Sequence, residues 1–225
     1  MTSPNTATTN NALELVGLYA KHKKAPKGIA ISGLSLPRGV YALIGDNGSG
    51  KSTFLSCMAG LIGSRGKSKV LGHDMDSALG RRQIAYLPHS PGGLDHLTVE
   101  QLIAYVQALY SFNDDNLVAD LIAMCQFGDL QKVPIKRLSQ GQKQLAYLLA
   151  TWTSGAPVIL LDEPTVGLDF TRQEVFRSAI NFLGATRTIL FSTHLQDDLK
   201  GIDVQVLEVT DEAVELRSSI KSAQP

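Results

Sequence analysis

Val40-Tyr41-Ala42-Leu43-Ile44-Gly45-Asp46-Asn47-Gly48-Ser49-Gly50-Lys51-Ser52-Thr53 is the stretch that decides the fold. Its first five residues are an unbroken apolar run, as expected of a strand buried on both faces. A glycine-rich turn follows, and residues 52–61 take on helical spacing that stops near Gly63. Strand, glycine turn and helix in that order fit G-x-x-x-x-G-K-S/T. The chemistry needs these residue types. Glycines let backbone N–H groups close around a dense anion, and the following helix turns its positive end toward it. Lys51 adds a full charge, and the Ser52 hydroxyl can ligate Mg2+. Gly45, Asn47, Gly48, Ser49, Gly50, Lys51, Ser52 and Thr53 therefore read as a cradle for a nucleoside triphosphate.

Working outward, residues 157–161 form a second apolar strand, which ends in Asp162-Glu163-Pro164. Sheets of this kind place their ligands at the C-terminal ends of strands. Asp162 would hold the Mg2+ shell, and Glu163 would polarise an attacking water. Adjacent strand residues face opposite ways, so the two acids need not share one task. Residues 172–183 are helical in spacing and Thr188–Ser192 is again an apolar strand, which predicts a parallel sheet with helical crossovers. Ile84–Leu87 is a short strand stopped by Pro88, and residues 204–209 and 213–216 predict a closing hairpin. Between these lie three helical stretches, 98–110 (capped by Thr98), 117–124 and 142–152. The fold class is α/β: one domain over residues 12–225, with an all-helical subdomain inserted at about 96–153. Upstream, residues 12–16 and 29–36 alternate as half-buried strands of an N-terminal antiparallel β subdomain.

Composition narrows the function. The 225 residues carry 21 basic and 21 acidic side chains, a balance without the basic excess that nucleic acid demands. Cys57 and Cys125 sit in apolar stretches and read as reduced core residues. Residues 1–11 are rich in Ser, Thr and Asn, lack an apolar signal segment, and are expected to be a disordered tail. No apolar run reaches the roughly 20 residues of a membrane span.

Leu138-Ser139-Gln140-Gly141-Gln142 opens a predicted helix. With the motifs above, the chain here resembles the ABC ATPase family, whose signature segment reads L-S-G-G-Q. The resemblance runs from about residue 12 to 216. It implies a P-loop ABC-type nucleotide-binding domain that hydrolyses Mg-ATP. It also implies a second cassette, two identical chains being the simplest case. Each ATP would lie between one protomer's Lys51 loop and the other's Ser139, Gly141 and Gln142. Read alone, Ser139 and Gln142 also fit a helix cap of capping-box form. Thr165-Val166-Gly167-Leu168-Asp169 resembles the family's interface loop, with Asp169 equally suited to capping a helix. Phe191-Ser192-Thr193-His194 matches the segment whose histidine contacts the γ-phosphate.

Gln140 stands where the family has glycine, and three further positions need comment. His89, in Ile84-Ala85-Tyr86-Leu87-Pro88-His89, occupies the place of a metal-reaching glutamine, and an imidazole can still offer one donor and one acceptor. The aromatic ring that stacks on adenine falls on His22 by spacing or on Tyr19 by chemistry, in a basic stretch with Lys21, Lys23 and Lys24. The arginine usual after Gln142 is absent, and Leu145 stands in that region. The resemblance implies the motor subunit of a transporter, peripheral on the cytoplasmic face of the membrane through a separate transmembrane permease subunit. That subunit would dock between the His89 loop and about residue 110. Export is favoured, because no extra C-terminal domain is present.

Overall fold

The computed structural model describes residues 11–22, 28–194, 196–210 and 213–220. The tail expected over residues 1–11 lies outside these except for Asn11, which opens a strand; Lys23 and Lys24 also lie outside. The elements begin with β1 (Asn11–Ala20), β2 (Ile29–Pro37), β3 (Val40–Ile44), α1 (Lys51–Met58), β4 (Ser64–Val70), β5 (His73–Asp74), α2 (Ala78–Arg81) and β6 (Ile84–Leu87). They continue with α3 (Val99–Tyr110), α4 (Asp115–Met124), α5 (Gln140–Trp152), β7 (Val158–Leu161), α6 (Phe170–Gly184), β8 (Thr188–Ser192), β9 (Val204–Val209) and β10 (Val214–Ile220).

Two sheets form the frame, an antiparallel one in the order β2-β1-β4-β5 and a six-stranded one in the order β10-β9-β3-β8-β7-β6. Strands β6, β7, β8, β3 and β9 run parallel, and β10 closes the edge antiparallel to β9. The apolar runs of β3 and β7 are explained by this placement. Ala42, Ile159, Leu161, Ile189 and Phe191 face a core shared with α3, α5 and α6. Their alternates Tyr41, Leu43, Val158, Leu160 and Leu190 face a second core with α1 and the antiparallel sheet. Both faces are buried, so the alternation of a half-exposed strand is lost. Phe191 meets Phe176 edge-on at 5.7 Å, and Trp152 lies 6.3 Å from Phe176. Burying each such side chain contributes about 1.5–3 kcal/mol.

The helical stretch expected over residues 96–153 comprises α3, α4 and α5. Its apolar side chains, among them Val99, Leu102, Leu121 and Phe127, join the same core as the sheet. Several boundaries move for physical reasons. β1 runs to Ala20, past the residue 16 predicted, because Gly17 takes φ 58° and the pairing register shifts between Val16 and Tyr19. β4 was not predicted: it is polar, with exposed Arg65, Lys67 and Lys69, and its pairing with β1 defines it. α1 stops at Met58, short of residue 61, where Gly60 turns to φ 69°. α5 and α6 each start two residues before the predicted onset, because Ser139 and Asp169 cap them.

Candidate functional site

The loop before α1 is shaped by its glycines. Gly45, Gly48 and Gly50 all take positive φ. At Gly45 the fit is tight: a β-carbon there would fall 2.2 Å from the Val209 carbonyl oxygen of β9. Gly50 caps α1 in the left-handed region and leaves the helix without a side-chain cap. In contrast, Ser77, Thr98, Asp114, Ser139 and Asp169 each cap the helix that follows with a side-chain oxygen. The first-turn N–H groups of α1 are thus left for another acceptor. Lys51 is buried, and its Nζ donates to the carbonyls of Gly45 (2.7 Å) and Asp46 (3.0 Å) inside the loop. The buried Ser49 hydroxyl has no protein partner among the described residues. A buried ammonium with no carboxylate partner among the described residues, an orphaned hydroxyl and an uncapped helix all suit a bound polyanion.

Across the cleft, the ends of β7 and β8 bring the acids to this loop. The buried Asp162 accepts from Ser52 Oγ (3.1 Å) and from Ser192 Oγ (2.7 Å). The Ser192 hydroxyl in turn accepts the Glu163 N–H at 2.8 Å. Glu163 has φ 48°, a left-handed conformation rare for a side chain of its size. Its carboxylate lies between two imidazoles, with Oε2 3.5 Å from His89 Nδ1 and Oε1 3.7 Å from His194 Nδ1. Strand parity predicted that the two acids could diverge. The left-handed turn at Glu163 brings both into one cleft of about 450 Å3, lined also by Ser52, Tyr86, Pro88, His89 and Ser90.

The other predicted residues gather elsewhere. Ser139 accepts the Gln142 N–H and Gln142 Oε1 accepts the Ser139 N–H, so the capping box is formed. Gln140 is the first helical residue of α5 and does not take positive φ, so the departure from glycine costs no strain. Gly141 has no room to spare: a β-carbon there would lie 3.1 Å from the Gly167 carbonyl oxygen and 3.4 Å from Arg172 Cδ. Asp169 caps α6 by accepting the Arg172 N–H and pairs with the Arg172 guanidinium. Leu145, at the missing arginine, is buried, and Arg172 lines a cavity of about 300 Å3 with it, Gln142 and Asp169. Tyr19 belongs to β1 and not to a loop. It lies on the opposite strand face from Leu18 and Ala20, and its hydroxyl sits 2.4 Å from where a Gly28 β-carbon would be. The Leu18 and Ala20 face pairs with Ile31 and Ile29, and Ile29 Cδ1 reaches toward Gly50. His22 is exposed, two residues past the end of the strand.

Cys57 and Cys125 are buried free thiols, as predicted, and burial pushes the Cys125 thiol up to about 12. Sequence reasoning gave no role to Ser192, which bonds Asp162 and the Glu163 N–H, or to the buried Asp198, which accepts from Thr165 and Thr193. Ser192 sits two residues before His194, which was its one available signal. Nothing local marks Asp198.

The family model described as ABC transporter matches residues 32–166. The ABC transporter ATP-binding protein NatA of Bacillus subtilis (strain 168) is 30% identical over 213 residues, 91% of this chain and 87% of that protein. The Cholesterol transporter ABCA5 of Rattus norvegicus is 29% identical over 167 residues, of which this chain spans only 10% of the relative's length. A solved structure described as the ATP binding subunit of an ABC transporter superposes with a TM-score of 0.81 at 23% identity, covering 93% of this chain and 90% of that one. Uncapped phosphate loop, paired acids and family match converge: this chain belongs to the ABC transporter family and is an ATP-binding subunit with ATPase activity.

Proposed function

We propose that this ATPase is the motor of a transporter. ATP would draw two cassettes together, hydrolysis would release them, and a separate membrane-spanning chain would convert that cycle into movement of cargo. No helix among the described residues is long and apolar enough to cross a membrane. Recognition of the cargo would belong to that partner. The observation that carries the reading is the convergence of Ser52, Asp162, Glu163 and His89 on one cleft beside an uncapped helix, with Lys51 folded into the loop before that helix and His194 beside Glu163.

The residues divide the work by their positions. Lys51 exchanges the carbonyls of Gly45 and Asp46 for phosphate oxygens, and the first-turn N–H groups of α1 complete the cradle. Ser52 and Asp162, already 3.1 Å apart, would hold Mg2+. Its remaining shell would be phosphate oxygens and water, which fits an ion that keeps much of its hydration; no cluster of three His, Cys, Asp or Glu ligands exists among the described residues. When bound, Mg2+ neutralises charge developing on the phosphates. Glu163 takes a proton from the attacking water. His194 donates an N–H toward the γ-phosphate, and His89 stands in for glutamine on the opposite side of Glu163. We assign base stacking to His22, because Tyr19 is on the strand face turned away from Ile29 and Gly50. Ser139 keeps its own O–H proton while its oxygen caps α5, so it can donate to the nucleotide of a second copy, beside the Gly141 N–H. Asp169 flanks that contact.

The test is Glu163→Gln. The amide retains the size and an acceptor but cannot take the proton. ATP binding is expected to persist while turnover falls about 10^2–10^4-fold, and gel filtration with Mg-ATP is expected to show a dimer. Wild-type turnover in this variant removes Glu163 as the base. Failure of ATP to pair two cassettes, in this variant and with the membrane partner present, removes the motor.

A further inference from the structure

Glu163 and His194 belong to different turns, one after β7 and one after β8, and their side chains stand 3.7 Å apart. Neither turn is held by the residue that acts. Both are tied to one oxygen of Asp198: Thr165 Oγ1 donates to Asp198 Oδ2 at 2.7 Å, and Thr193 Oγ1 donates to the same oxygen at 2.5 Å. Thr165 lies two residues after Glu163, and Thr193 immediately precedes His194. Asp198 is 2% exposed, and among the described residues no cation stands within ion-pair distance of it. Among the described residues its side-chain partners are these two hydroxyls; a buried carboxylate held by neutral groups is costly, and a neutral apolar residue would pack there at less cost. The short helical turn that carries Asp198, Gln196–Leu199, is itself anchored to α6. Arg177 donates to the Asp197 carbonyl at 3.0 Å, and Asn181 donates to the Gly201 carbonyl at 2.8 Å.

The geometry points to Asp198 as a positioning residue that sets the spacing between Glu163 and His194 by gripping both turns through a single oxygen. It touches neither nucleotide nor water and acts through the two residues that do. Because α6 is capped by Asp169 and anchors the Asp198 turn, the grip also links the segment flanking the interface to the spacing of the two acting groups. This inference rests on the roles proposed above for Glu163 and His194.

The experiment is a double-mutant cycle on ATP turnover by the full chain, combining Asp198→Ala with His194→Ala. Asp198→Ala is expected to lower kcat at least 10-fold, with KM for ATP changed less than 3-fold and no further loss in the His194→Ala background. Asp198→Asn, whose amide oxygen can still accept from both threonines, is expected to recover most of the turnover. Should Asp198→Ala not fold, Thr165→Val removes one grip at nearly constant volume, and a loss of kcat at constant KM carries the same meaning. Independent, multiplying losses in the double variant overturn the proposal, as does wild-type kcat in Asp198→Ala or Thr165→Val. So does a KM that rises in step with the fall in kcat. A His194→Ala variant with wild-type turnover overturns instead the role of His194, so the two failures are distinguishable.

Discussion

Ser192→Ala tests whether the cleft depends on one buried hydroxyl. Ser192 makes two bonds, a donation to the charged Asp162 (2.7 Å) and an acceptance from the Glu163 N–H (2.8 Å). Losing a hydrogen bond to a charged group costs about 1.5–3 kcal/mol, and orphaning an N–H about 1 kcal/mol or more. Part of this returns, because Glu163 holds φ 48°, and relaxation of such a residue releases about 1–3 kcal/mol. The net expectation is about 2 kcal/mol of lost stability. For a chain of this size that is about a 4–8 °C fall in Tm. The kinetic effect should be larger than the thermal one. Once the Glu163 backbone relaxes, its carboxylate leaves the gap between His89 and His194, and turnover is expected to fall more than 10-fold. Differential scanning calorimetry and steady-state Mg-ATP hydrolysis read the two effects separately. A Tm within 1 °C of wild type together with kcat within twofold would refute the argument, because the left-handed Glu163 would then need no hydroxyl to hold it.

Two further outcomes follow from the geometry. Gly45→Ala must place a methyl group 2.2 Å from the Val209 carbonyl at φ 154°, so it should destabilise the fold by about 2–4 kcal/mol and weaken ATP binding more than 10-fold; urea denaturation and nucleotide titration check the two. Asp95 accepts from the Lys143 ammonium and from the Tyr147 hydroxyl at 2.6 Å, and these bonds hold its carboxyl below the ordinary 3.8. A depressed pKa stabilises above the unfolded value and loses that contribution as pH falls through the folded one. Asp95→Asn should therefore lower Tm by about 1–3 °C at pH 7, with the gap to wild type closing below about pH 4; a gap that persists unchanged at low pH contradicts the ion pair.

Much of the site was legible before any fold was known, for a chemical reason. Phosphate binding requires glycines, a lysine and a hydroxyl at fixed spacing along one loop, and all of these are local. The same holds for the acids that end β7 and for the caps Thr98 and Ser139. The polar strand β4 was not legible, because its seven residues carry no apolar period and pairing with β1 alone makes them a strand. The strand face of Tyr19 could not be read from spacing, since the bulge at Gly17 sets it.

The sequence by itself determined that a buried strand would deliver a phosphate loop, and that Asp162 and Glu163 would end a second one. Only the tertiary structure decided that both acids share a cleft, that His89 and His194 flank Glu163, and that Ser192 and Asp198 hold the arrangement. The division is physical: a motif is a set of neighbours along the chain, whereas Asp162 reaches Ser52 across 110 residues and Thr165 reaches Asp198 across 33. Those distances close only when parallel strands lie side by side, and no local pattern encodes which strands will do so.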